Sequence, residues 1–129
     1  MENIIIEASE RAPGVVFDFS NNTFSLTGES YPEDVTAFYG GILESLEEHF
    51  SNQTGASIQF TFDLIYFNSS TAKVVMGLFD MLDETAEKND VTVIWNFEED
   101  DDNMEEMGEE FGEDLESAKF ILKEVPQPA

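Results

Sequence analysis

The chain has 129 residues, 41% of them hydrophobic, no cysteine, and a formal net charge of −24 from 29 acidic and 5 basic side chains. The length suits one domain, 1–129, with apolar residues enough for a core. The charge repels phosphate backbones and anionic lipid surfaces, which argues against nucleic acid or a membrane as partner, and the missing cysteine excludes disulfides, thiolate catalysis and zinc–sulfur sites.

The opening stretch MENIIIEASERAPG has no basic region and only three consecutive large apolar residues, so it does not read as a signal peptide. No apolar run approaches the roughly 18–20 residues that span a bilayer. A soluble, cytoplasmic protein is expected. Ile4 to Glu7 is a short strand candidate. Val15 to Phe19 and Thr23 to Thr27 flank Asn21-Asn22 and predict a hairpin, because Asn tolerates the left-handed backbone of tight turns. Ser30 followed by Glu33 reads as a capping box opening a first helix. Val35, Phe38, Tyr39, Ile42, Leu46 and Phe50 then recur at helical spacing. Gly40-Gly41 interrupts this helix and suggests close packing against a sheet. Ile58 to Phe67 is a strand. From Ala72 the spacing turns helical, with Ala72, Val75, Met76, Phe79, Leu82 and Ala86 on one face. Val91 to Phe97 is a β-branched run of the buried-strand kind. An acidic third helix carries Met104, Met107, Phe111 and Leu115, and Phe120 to Val125 supplies a last short strand. Pro126 and Pro128 mark the end of order, so 126–129 is expected to be a tail. This alternation predicts an α/β fold: a mixed sheet of about five strands with an N-terminal hairpin and parallel central strands, carrying three to four helices mainly on one face.

The catalytic inventory is thin. His49 is the lone histidine and sits near a helix end, where a structural role is expected. No Gly-rich phosphate loop and no Gly-x-Ser-x-Gly elbow is present. Asp100, Asp101 and Asp102 are consecutive where a calcium loop needs alternate acids and a central Gly, so they read as an acidic cluster at a helix start. A small hydrolase or metal-dependent enzyme would lack a base and a ligand set.

The informative stretch is Asn68-Ser69-Ser70-Thr71, where an apolar strand gives way to a helix. Ligands of α/β sheets gather at strand carboxyl ends, and a helix start offers free N–H groups to an anion. One side chain there suffices as a cap, and Asn68 or Ser69 can supply it. Behind the junction Val74, Leu78 and Met81 widen the apolar arc beyond the core stripe. They form either an exposed docking patch or a second packed face.

The stretches LTGESYPEDV, FTFDLIYFNSSTAK and DMLDE resemble the SiaC family of bacterial regulatory phosphoproteins, and the similarity runs from about Val15 to Phe120. The resemblance implies a fold similar to the STAS domain of anti-sigma-factor antagonists, no enzymatic activity and no cofactor. It implies a histidine-kinase-like serine/threonine kinase that phosphorylates the hydroxyl after the junction Asn, and a PP2C-type phosphatase that removes the phosphate. The unphosphorylated form would bind and activate a diguanylate cyclase. On this chain the acceptor position falls on Ser69, where the family often has Thr, with Ser70 and Thr71 as neighbouring hydroxyls. Asn68, Ser70, Thr71 and Lys73 would support the phosphate, and Val74, Leu78 and Met81 would make the docking surface. The alternative of the same switch type is an anti-sigma-factor antagonist bound to an anti-sigma kinase.

Overall fold

The computed structural model describes residues 2–126. Along the chain come β1 (Ile4–Ile6), β2 (Gly14–Asp18), β3 (Thr23–Ser30), α1 (Val35–Ser51), β4 (Ser57–Phe67), α2 (Ser69–Thr85), β5 (Asp90–Glu98), α3 (Asp102–Glu113) and β6 (Lys119–Val125). The strands form one six-stranded sheet in sequence order. The first three are joined antiparallel, and β3 to β6 are parallel. The mixed α/β class, the leading hairpin and the three helices are as the sequence predicts. The sheet has six strands rather than about five, because the short β1 and the late β6 both pair. Of the expected 126–129 tail only Pro126 lies within the described residues.

Register shows why the helices gather on one side. Phe17, Phe24, Phe60, Val93 and Phe120 lie in one row across the sheet, and Val15, Leu26, Phe62, Trp95 and Leu122 in the next. Within these rows β2 to β5 present fully buried side chains, and alternation sends their neighbours to the opposite, helix-free face. There Val16 and Ile121 remain about half exposed. Each helix lays an apolar stripe on the covered face, with Tyr39, Ile42, Leu46 and Phe50 from α1 and Val75, Leu78, Phe79 and Leu82 from α2.

The glycines correct one expectation. Gly40-Gly41 does not mark close packing, since a Cβ on Gly41 would meet nothing within 4 Å. The close approach belongs to α3 instead. A Cβ on Gly108 would sit 2.6 Å from Trp95 Nε1, and one on Gly112 would sit 2.5 Å from the Phe120 ring. These absences let α3 settle onto the sheet, where Trp95 Nε1 donates a 3.0 Å hydrogen bond to the Met104 carbonyl.

Local anchors close the remaining ends. His49, at the end of α1, bonds through Nε2 to Asn22 Oδ1 at 2.6 Å and packs edge-on against Phe19. Asn22 holds a φ of +53° in the hairpin turn, the left-handed conformation expected of that residue type. Burial holds the His49 imidazole pKa below its usual range, which keeps it neutral and consistent with the structural role expected. Asp83 of α2 accepts N–H bonds from Glu116, Ser117 and Ala118, pinning the connection into β6.

Candidate functional site

Two of the three sequence stretches that carry the resemblance, LTGESYPEDV and FTFDLIYFNSSTAK, meet at the start of α2. β4 runs parallel to β3 until the register slips: Gly28 pairs with Leu64, and Glu29 pairs with Tyr66. Ile65 is the extra residue of a β-bulge. Gly28, the last residue paired before the slip, has a φ of +94°, a backbone state that side-chain-bearing residues rarely adopt. The bulge shifts the alternation by one. Ile65 and Tyr66 are both exposed, at 50% and 51%, and Phe67 turns into the core.

Asn68 then caps α2, its Oδ1 accepting the Thr71 N–H at 3.0 Å. Helix geometry leaves the Ser69 and Ser70 N–H groups without an intrahelical acceptor. Ser69 and Ser70 are exposed, whereas Thr71 is fully buried.

Ser30 explains why Thr71 is buried. Expected as a helix cap, Ser30 is instead the last residue of β3, and Asp34 caps α1 by accepting from Ala37 N. The capping-box pattern misled because it is local, and the partner of Ser30 lies 41 residues away. Three buried hydroxyls form a chain: Tyr39 to Ser30 at 2.6 Å, Ser30 to Thr71 at 2.9 Å, and Thr71 to the Ser30 carbonyl at 3.0 Å. The last bond fixes the proton order. A carbonyl only accepts, so the Thr71 hydroxyl donates to it. Thr71 must then accept from Ser30, and Ser30 accept from Tyr39. The Ser30 carbonyl also receives the Asn68 N–H at 3.2 Å. Burial raises the Tyr39 phenol pKa above its usual range, which keeps it a donor. Nearby, the Tyr31 ring meets Tyr66 edge-on at 5.8 Å, and Arg11 pairs with Glu33.

The expected site residues therefore separate. Asn68, Ser69, Ser70 and Lys73 share the accessible start of α2. Thr71 does not belong with them as a phosphate support, because its hydroxyl is enclosed and doubly bonded. The docking patch also needs correction. Leu78 is 1% exposed and belongs to the buried core. Val74 and Met81 are half-buried against the core. Met76, expected on the core face, is the apolar residue of α2 that stands out, at 54% exposure. Lys73 is exposed, and the ion pairs among the described residues, Arg11 with Glu33 and Lys119 with Asp90, do not involve it. The described residues contain no group of metal-ligating side chains and no helix long and apolar enough to cross a membrane.

Beside the junction lies a groove of about 410 Å³ between the end of β4 and α3. Ile65, Tyr66 and Phe67 form one wall. Met104 and Met107 form the other, with Asp101, Glu106 and Glu110. Nothing in the sequence signals this groove, because the bulge that exposes two successive apolar residues on β4 has no local signature.

The sequence profile of the SiaC family regulatory phosphoproteins matches residues 6–125. The chain belongs to the SiaC family. It is thus a regulatory phosphoprotein by family and not an enzyme. A protein of Pseudomonas aeruginosa strain UCBPP-PA14, itself uncharacterized, is 25% identical over 115 residues, covering 88% of this chain and 90% of its own length. The crystal structure of apo-SiaC from Pseudomonas aeruginosa superposes with a TM-score of 0.84 at 26% identity, over 95% of this chain and 99% of that one. The SiaC chain in the crystal structure of the diguanylate cyclase SiaD in complex with its activator SiaC, also from Pseudomonas aeruginosa, gives a TM-score of 0.87 at 24% identity, over 95% and 99% of the two chains. The SiaC fold and this chain's fold are the same.

Proposed function

We propose that this SiaC-family chain is a phosphorylation-gated binding module whose unphosphorylated form binds and activates a diguanylate cyclase. Membership of a family of regulatory phosphoproteins supports the gating. The Pseudomonas aeruginosa SiaC that shares this fold is an activator found in complex with a diguanylate cyclase, which supports the output. The observation that carries the residue assignment is burial. Of the three junction hydroxyls Thr71 is enclosed, and Ser69 follows the capping Asn68 directly with its side chain exposed.

In this reading a histidine-kinase-like serine/threonine kinase phosphorylates Ser69 in the cytoplasm and a PP2C-type phosphatase reverses it. The phosphate brings roughly −1.5 to −2 charge at pH 7. Free N–H groups of Ser69 and Ser70 and the positive end of the helix dipole favour it. Lys73, one turn along, supplies a counter-charge. Release follows from desolvation. A partner covering Tyr66 and Met76 would have to bury the new dianion beside them, and a buried unpaired charge is strongly unfavourable.

The assay is phosphorylation by the cognate kinase followed by mass spectrometry. Phosphate is expected on Ser69, with Ser69→Ala losing the label and Ser70→Ala keeping it. Label confined to Ser70, or undiminished labelling of Ser69→Ala, overturns the assignment. The output is tested with the purified cyclase of the same organism. Binding to an anti-sigma kinase and none to the cyclase would replace this output with that of an anti-sigma-factor antagonist.

A further inference from the structure

Resting on that reading, we infer that the groove between β4 and α3 is where the output protein docks, and that its occupant is an apolar segment flanked by lysine or arginine. Two independent features meet there. The β-bulge at Ile65 turns two consecutive large apolar side chains, Ile65 and Tyr66, toward solvent just before the junction. Bulges re-aim side chains in this way beside functional sites, and exposed apolar groups rimmed by charge mark protein contacts. The facing wall adds Met107, a side chain able to adapt to a partner's shape, and three carboxylates, Asp101, Glu106 and Glu110.

Charge selects the occupant. No lysine or arginine lines the groove, and the chain around it carries −24. A second copy would bring the same charge and the same acidic wall, which opposes self-pairing. A basic segment is drawn to it by the field of the whole chain, and its apolar residues then rest on Ile65, Tyr66 and Met107. The acids all belong to the α3 side, whereas Ser69 continues from the β4 side. A phosphate on Ser69 would therefore arrive next to the apolar wall, where the partner must shed water, and away from the carboxylates that steer it.

The test uses the full chain and the purified diguanylate cyclase of the same organism, with binding followed by surface plasmon resonance across a salt series. Glu106→Lys with Glu110→Lys reverses two exposed rim charges. Glu44→Lys with Glu48→Lys makes the same change in net charge on the exposed face of α1, away from the groove. The groove pair is expected to lose about tenfold or more in affinity, mainly through slower association, with a flatter salt dependence. The α1 pair is expected to stay within about threefold of wild type, in line with the small effect of charges remote from an interface. Ile65→Asp is expected to dissociate at least tenfold faster. If both charge pairs weaken binding alike, or neither does, the groove is not the seat, and the cyclase reading stands. If the wild-type chain fails to bind the cyclase, the reading and the groove fall together. A wild-type dimer that the groove pair dissolves would give the groove to a second copy and overturn the inference.

Discussion

The proton order along Tyr39, Ser30 and Thr71 makes a graded prediction about which hydroxyl is costly to remove. All three side chains are at most 1% exposed, so water cannot replace a lost partner. Thr71→Val strands the Ser30 O–H, which loses its acceptor. Ser30→Ala strands the Tyr39 O–H in the same way. Each orphaned donor costs about 1–3 kcal/mol. Tyr39→Phe strands nothing, because Ser30 still donates to Thr71 and gives up only a bond it accepted. Its cost is about 0.5–1.5 kcal/mol. For a chain of this size each kcal/mol moves Tm by about 3–5 °C, so the ranking is readable by thermal or urea unfolding. The double variant Ser30→Ala/Thr71→Val leaves one stranded donor, as Ser30→Ala does alone. Its cost should match that single variant and fall short of the sum by about 1 kcal/mol or more. Adding Tyr39→Phe to the double should restore stability, because no buried donor remains unpaired. Tyr39→Phe costing as much as Thr71→Val, or strict additivity in the double, would refute the proton order.

Further expectations concern packing and titration. Gly108→Ala places a methyl 2.6 Å from Trp95 Nε1 and should destabilise the fold by about 1–3 kcal/mol. Gly41→Ala, in open space within α1, should be neutral or stabilising by up to about 1 kcal/mol; the pair is checked by urea denaturation. Burial keeps the His49 pKa below its usual range, so as pH drops below about 6.5 the unfolded chain takes up a proton that the folded chain resists, and stability falls. His49→Gln should remove that component, and the difference between the two stability–pH curves isolates it from the carboxylates. Parallel curves between pH 7 and 5.5 would contradict it. For Asp83, burial pushes the carboxyl pKa up, but the N–H groups of Ala118, Ser117 and Glu116 outweigh it and the pKa is lowered. The stabilisation is therefore present above the usual carboxyl pKa and is lost as pH falls through the lowered one. Asp83→Ala should speed amide exchange at 116–118, measured by NMR.

What the sequence made legible was periodic. The stripe Tyr39, Ile42, Leu46, Phe50 and the β-branched run of β5 each repeat a pattern that only one element satisfies, and their order sets the sheet. What it concealed depends on pairs distant in the chain. Ser30 offers the same local pattern whether it caps a helix or bonds to Thr71, and only the parallel pairing of β3 with β4 decides. Leu78 and Met76 are both apolar and lie within one turn of α2, yet the fold buries one and leaves the other in water. Gly41 and Gly108 are both helical glycines, but only Gly108 faces a tryptophan. The same pairing gives a physical account of the crowded junction. A helix start tied to β3 through Thr71 and Asn68 cannot shift when its first turn takes on charge. A phosphate on Ser69 would then act on a fixed scaffold, changing what the neighbouring surface can bury and leaving the fold beneath it as it was. That distinguishes a surface switch from a refolding switch. It predicts that Ser69 phosphorylation lowers cyclase affinity with little change in the amide exchange of β3, β4 and α1, whereas widespread loss of protection in those elements would show that the hydroxyl chain does not hold the junction in place.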